Sequence, residues 1–218
     1  MKMLRYSAIA LLGLGLTFAA CKKEKSREGN VKPSTPDSYA PYTVGSSFRY
    51  QDVSTLNDTT TYTVTVTGDT TIDGTIYQIM QGSNGVTTYN SYDDQGNYYQ
   101  IAGHLTYQQY SFGSFKSLYL KSAAPVGSSW NDTVSVDVQG IAQRGKLTYT
   151  MEQKAISKIV GDTSYTGVSA VQTSGSLLDL PLPITISLGT NFYASGVGLV
   201  ETDTQTDTVR LIDYTIVK

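Results

Sequence analysis

Residues Thr61–Met80 read "TYTVTVTGDTTIDGTIYQIM". Tyr62, Val64 and Val66 alternate with Thr61, Thr63 and Thr65, a period of two that puts each set on its own face of an extended strand. Asp73-Gly74 supplies the positive-φ positions of a tight hairpin, and strand-forming residues resume at once with Ile76, Tyr77 and Ile79. The stretch predicts strand, turn and antiparallel strand. Asn84-Gly85 repeats the turn signal, and Asp94-Gln95-Gly96-Asn97 gives a third turn before Tyr98–Ile101. Four strands follow one another with no helical period between them, the pattern of an antiparallel meander.

The second half continues the theme. Val134, Val136 and Val138 alternate with Ser135 and Asp137, and Leu147, Tyr149 and Met151 share a parity that Ile156, Ile159 and Val160 break, which predicts a bulge or bend. A helix over Glu152–Ile159 is the weaker reading, because strand patterns flank it. Closing strands are expected at Asn191–Ala194, Gly198–Asp203 and Val209–Val217. Composition agrees: charged residues are 16% of the chain, against roughly 25% in ordinary globular domains, and Thr, Ser, Gly and 17 tyrosines take their place. β-Branched and aromatic residues suit strands. The fold class expected is all-β, an antiparallel meander forming a strongly curved sheet or partial barrel, with a β-sandwich as the alternative.

Local matches hint at two similar β-halves, about 41–121 and 122–218. "VGSSF" at 44–48 recurs as "VGSSW" at 126–130, each after a proline, Pro41 and Pro125. "GDT" at 68–70 recurs at 161–163, followed by Gly74 and Gly167 at the same offset. "YAPYTVGSSFRY", "PVGSSWNDTV", "YASGVGLVETDT" and the closing "LIDYTIVK" together resemble a broad group of secreted and lipid-anchored bacterial β-proteins. That resemblance implies a curved antiparallel sheet or partial barrel and transfers no catalytic residue.

The amino terminus has a different character. Lys2 and Arg5 precede an apolar run, Ala8–Phe18, that ends in Ala19, Ala20 and Cys21, the layout of a signal peptide. The run is shorter than the roughly 20 residues of a membrane-spanning helix. Small residues before the chain's single cysteine resemble the lipobox of bacterial lipoproteins, which implies cleavage after Ala20 and lipidation of Cys21; Phe18 stands where that motif usually has Leu. Two or three acyl chains anchor far more firmly than one, at about 0.8 kcal/mol per buried methylene. The expected organisation is a signal at 1–20, a lipidated tether at 21–40 and a β-domain at 41–218. The tether sequence "KKEKSREGNVKPSTPDS" is too polar to bury a core. Lys22-Lys23-Glu24-Lys25 weakly resembles a surface-export tag, so the outer membrane is expected with its face left open.

Catalytic and metal signals are sparse. His104 is the only histidine, and no nucleophile elbow or ligand spacing accompanies it, so no metal, cofactor or catalytic residue is expected. Asp58, Asp69, Asp73, Asp93, Asp94 and Asp162 sit at expected turns, where Asp binds nearby backbone amides. "DDQGN" at 93–97 lacks the ligand pattern of a calcium loop. A formal charge of −2 without a basic patch argues against nucleic acid.

In "SLLDLPLPITISL", Ser176–Leu188, the residues Leu180, Leu182, Ile184, Ile186 and Leu188 share one parity. Pro181 and Pro183 cannot donate to a ladder, so an edge or rim segment is expected, covered by the protein's own core or by an apolar ligand, a partner or the membrane. Those five residues are the candidate ligand contacts. Asp-Thr followed by Thr or Val resembles a bacterial O-glycan acceptor motif, making Thr59, Thr70, Thr133 and Thr208 candidate acceptors.

The leading functional expectation is a non-catalytic, outer-membrane-anchored binding or interaction lipoprotein, whose partner class is glycan, lipid or protein. A structural envelope protein is the alternative, and a carboxylate hydrolase the minor one. Intact-mass spectrometry of protein from its own cells should show mass beyond the lipidated chain if those threonines carry glycan; a mass equal to the bare lipoprotein excludes it.

Overall fold

The computed structural model describes residues 38–218 except 57, 104, 108–109, 113, 139 and 179–184. The described chain is all-β. Its strands are β1 (Ser47–Ser54), β2 (Thr59–Ile72), β3 (Thr75–Gly82), β4 (Thr87–Tyr92), β5 (Asn97–Ala102), the short β6 (Leu105–Tyr107) and β7 (Tyr110–Phe112), and β8 (Phe115–Lys121). The second half supplies β9 (Ser129–Val138), β10 (Ile141–Val160), β11 (Thr163–Leu177), β12 (Thr185–Ala194), β13 (Gly198–Asp203) and β14 (Asp207–Thr215). The hairpin signals read from the sequence form: Asp73 and Gly74 take φ of 49° and 77°, and Gly85 and Gly96 are also left-handed.

All strands join one antiparallel sheet in the order β6-β7-β9-β10-β11-β12-β13-β14-β1-β2-β3-β4-β5-β8. Twelve strands form the meander, with the small β6–β7 hairpin added at one end, and the sheet curls into a nearly closed barrel. The degree of curling follows from one contact. Tyr119 on β8 and Tyr193 on β12 are eight strand spacings apart through the ladder, about 38 Å on a flat sheet. Their ring centroids are 5.4 Å apart. The first and last strands pair along eight residues, Ser47↔Thr215 to Ser54↔Asp207, so the break in the ladder falls mid-chain between β8 and β9.

Side chains bridge that break. The Trp130 indole donates to the Leu118 carbonyl at 2.5 Å, and the Asp132 carboxylate accepts the Leu118 amide at 2.8 Å. Burial pushes the Asp132 carboxyl up, against the opposing pull of the Leu118 amide and of Lys121 and Lys116. Trp130 stacks on Tyr149 at 5.9 Å, which holds the indole in place.

One end of the barrel is filled by the chain's own lead-in. Ser38 and Ala40 are buried, Gly196 donates to the Ser38 carbonyl at 2.8 Å, and the Tyr39 hydroxyl donates to the Gly167 carbonyl at 3.0 Å. Packing thus begins by Ser38, inside the segment read as tether; its serine and tyrosine find polar partners that the sequence does not display. The two "VGSS" corners make matching bonds. Gly45 donates to Val66 and Gly127 to Met151; Ser46 donates to Thr43 and Ser128 to Pro125. The two "GDT" triplets sit differently: Asp69-Thr70 lies within β2, whereas Gly161-Asp162 is the β10–β11 turn.

The expected irregularity in β10 is present. Register shifts follow Met151, Gln153 and Ile156, and Ala155 has a φ of 54°. They bend the distal hairpin toward β13. Lys158 and Glu201 lie on strands three spacings apart, about 14 Å on a flat sheet, yet their charged atoms meet at 2.6 Å.

Trp130→Phe keeps the ring stack but orphans the Leu118 carbonyl. A loss of about 1–3 kcal/mol in urea unfolding is expected, with faster amide exchange in β8 than in β3.

Candidate functional site

A barrel of about eight strands is filled by ordinary side chains, and a larger one leaves space inside. Here long aromatic side chains occupy the interior. Tyr98, Tyr119, Trp130, Tyr149 and Tyr193 share a buried cluster with Leu120, Val134, Val136, Leu147, Met151 and Leu188. Phe48, Tyr50, Val66, Val200 and Leu211 belong to a second.

The wall built by β3, β4, β5 and β8 is polar on its inner face. Register places Gln78 opposite Asn90, Asn90 opposite Gln100, and Gln100 opposite Ser117. The Gln100 amide donates to Asn90 Oδ1 at 3.1 Å, and the Asn90 amide donates to Thr88 Oγ1 at 3.2 Å. Gln78, Thr88, Asn90 and Ser117 are buried. The same register turns Ile79, Tyr89 and Ile101 to the other face.

A cavity of about 50 Å³ lies against this wall, lined by its Met80, Thr88, Asn90, Gln100 and Tyr119 and, from the other strands and the lead-in, by Tyr42, Tyr50, Tyr62 and Tyr193. Tyr50 and Tyr62 stack at 5.5 Å. Burial pushes the Tyr42 phenol up to about 12 and raises Tyr50, Tyr119 and Tyr193 well above the usual phenol value. All four stay protonated at neutral pH. The Tyr119 hydroxyl is 3% exposed as a residue and has no partner in hydrogen-bond geometry among the described residues, although Tyr42 lies beside it.

The opposite wall is apolar. Val134, Val136, Leu147, Leu177, Ile186 and Leu188 surround a recess of about 30 Å³ floored by Gly145 and Gly175. A Cβ on Gly145 would stand 2.6 Å from Val136 Cγ2, so the glycine makes room for the valine methyls that border the recess. The interior therefore has one amide-and-phenol side and one aliphatic side.

Of the apolar stripe predicted as ligand contacts, Ile186 is half-buried and Leu188 buried, and both line the recess. Leu180, Leu182 and Ile184 lie outside the described residues, as do Cys21 and His104. Ser176–Leu188 is not a single strand: β11 ends at Leu177 and β12 begins at Thr185, consistent with two prolines that cannot donate to a ladder. Among the O-glycan candidates, Thr59 and Thr133 are exposed, and Thr70 and Thr208 are half-buried.

Asp93 closes the "DDQGN" turn with hydrogen bonds of its own carboxylate. It accepts the Gln95 and Asn97 amides at 2.9 and 3.0 Å, the Asn97 side chain at 2.9 Å and the Tyr99 hydroxyl at 3.2 Å. Burial opposes its ionisation, but these bonds outweigh it and hold the carboxyl low. Among the described residues no three His, Cys, Asp or Glu side chains gather as a metal site.

Two acids that the turn reading passed over lie within strands. Asp52 on β1 and Asp207 on β14 come near each other at the end opposite the lead-in, and burial followed by the Asp207 charge raises the Asp52 carboxyl. Glu201, with its side chain 8% exposed, is held between Lys158 at 2.6 Å and Arg210 at 3.7 Å. Lys158 also caps the Phe192 ring at 3.5 Å. Burial raises Glu201, the Lys158 hydrogen bond opposing.

No protein-family model matches the chain, and the search of curated proteins finds no match. Among solved structures, it is similar to a candidate lipoprotein of Parabacteroides distasonis, with a TM-score of 0.51 and 12% identity over 82% of this chain and 99% of that one. A candidate exported protein of Bacteroides fragilis with a YmcC-like fold aligns at a TM-score of 0.49 and 10% identity, over 79% of this chain and 96% of that one. At 12% identity the Parabacteroides likeness is one of fold, and it spans nearly all of that protein.

A carboxyl raised by folding makes the ionised form a burden on the native state. Asp52→Asn should therefore be more stable than the parent at pH 7. That advantage should shrink as pH falls through the raised value toward the ordinary carboxylate range, as urea midpoints at pH 7 and pH 4 would show.

Proposed function

We propose that this protein is an exported, lipid-anchored and non-catalytic binding protein that holds its ligand inside the barrel. The observation that carries the reading is the two-sided interior, where the buried Tyr119 hydroxyl, with only the Tyr42 phenol beside it, borders a cavity on the polar wall and an aliphatic recess lies on the other. Close-packed cores leave few buried polar groups unpaired and few voids. Keeping such features inside one barrel suits a protein that accepts a guest.

Cys21, behind a signal-like run and ahead of a polar segment, is the proposed lipidation site, and the outer membrane the proposed address. The fold shared with a candidate lipoprotein supports export. Sixteen residues separate Cys21 from Ser38, a reach of at most about 60 Å, and they join the barrel at the end the lead-in fills. The apolar recess lies toward the other end, beside Leu177 and Ile186. This favours a ligand taken into the barrel over a stripe resting on the membrane.

Native mass spectrometry of protein extracted from its own membranes should show a retained non-covalent mass, and Cys21→Ser should move the protein out of the membrane fraction. Repeated preparations that contain only the bare chain would remove the binding reading; a membrane-bound Cys21→Ser protein would remove the anchor.

A further inference from the structure

Resting on the reading of the barrel as a ligand chamber, we infer that its polar cavity is a subsite for an uncharged polyhydroxyl group: a small polyol, or the hydroxyl-bearing edge of a sugar. Size sets the first limit. A water needs about 10–15 Å³ of such space and takes about 30 Å³ of liquid, so 50 Å³ admits a group the size of three or four waters. That matches a three- or four-carbon polyol and is far below the several hundred Å³ of a drug-sized pocket.

Charge sets the second. The cavity is lined by phenols, amides, a threonine hydroxyl and aliphatic groups, with no ionisable carboxylate or amine among them. The phenols stay neutral because the same burial that holds them opposes their ionisation. A charged guest would lose its hydration without gaining a counter-charge, whereas a neutral hydroxyl both donates and accepts, as each phenol facing it does.

Geometry sets the third. Asn90, Thr88 and Gln100 are tied to one another in a fixed chain, so their positions do not depend on a guest. The Tyr119 hydroxyl, nearly fully buried and lining the cavity, has the Tyr42 phenol beside it but no partner in good hydrogen-bond geometry among the described residues. The stacked Tyr50 and Tyr62 rings border the same space. A hydroxyl-rich guest has polar edges for the amides and C–H faces for rings, and the arrangement offers both.

The test uses the full mature domain with ring-labelled tyrosine, titrated by NMR with glycerol and erythritol. Lactate and ethanolamine, of similar size, serve as anionic and cationic controls. Saturable shifts confined to the rings of Tyr42, Tyr50, Tyr62, Tyr119 and Tyr193 are expected with the two polyols and not with the controls. Tyr119→Phe should weaken polyol binding at least tenfold while moving the urea midpoint little, because in the unliganded barrel its hydroxyl has only the Tyr42 phenol beside it, outside good hydrogen-bond geometry. Unmoved rings, equal response to the charged controls, or a crystal soaked in polyol that shows only single waters in the cavity would each overturn the inference. A native preparation that still carries a wholly apolar ligand would leave the binding-protein reading standing and remove only this one.

Discussion

The ladder between β1 and β14 is the constraint on which the rest of the fold depends. A twelve-strand meander has two free edges, and exposed edges invite pairing with other chains. Joining the first strand to the last through eight residue pairs moves the break to β8 and β9, which are neighbours in sequence. A short connection already holds those two strands together, so the remaining gap needs only local closure. Trp130 and Asp132 supply it by bonding the two backbone groups of Leu118. The lead-in that precedes β1 is carried into the same end of the barrel, where Ser38 and Tyr39 bond strand ends from the other half of the chain.

Closure at this strand number creates a filling problem, which the tyrosines answer. A phenol reaches further across the interior than leucine and ends in a group that needs a polar partner when buried. Aromatic contacts link Tyr39 to Tyr98, Tyr98 to Tyr119 and Tyr119 to Tyr193, spanning the lead-in and two facing walls. Their hydroxyls make the interior partly polar. Thr88, Asn90 and Gln100 belong to the same solution, since polar side chains on one wall are stable where hydrogen bonds among them satisfy them.

Hairpins were legible because their chemistry is local. Asp73-Gly74 needs left-handed backbone whatever surrounds it, and the parity break after Met151 marked the bulged part of β10 without any knowledge of what it bends toward. The chamber was not legible in the same way. The alternation in "TIYQIMQG" and "TTYNSY" defines two faces without choosing between them. The barrel turns Met80, Thr88 and Asn90 toward the cavity and Ile79 and Tyr89 to the other face. Similarly, Ser176–Leu188 looked like one stripe because parity counts along the chain, whereas the chain leaves one strand at Leu177 and starts another at Thr185.

The sequence by itself determined the strand-and-turn alphabet, the antiparallel meander and the expectation of an attachment point at Cys21, because each rests on interactions between residues close in the chain. The tertiary structure alone decided which strands are neighbours across the closure, which face of each strand is inside, and that Asp52 meets Asp207 and Lys158 meets Glu201. The reason is physical: a strand's period of two defines two faces without saying which is buried. That choice is made by curvature, when eight strand spacings are drawn into a single ring contact between Tyr119 and Tyr193.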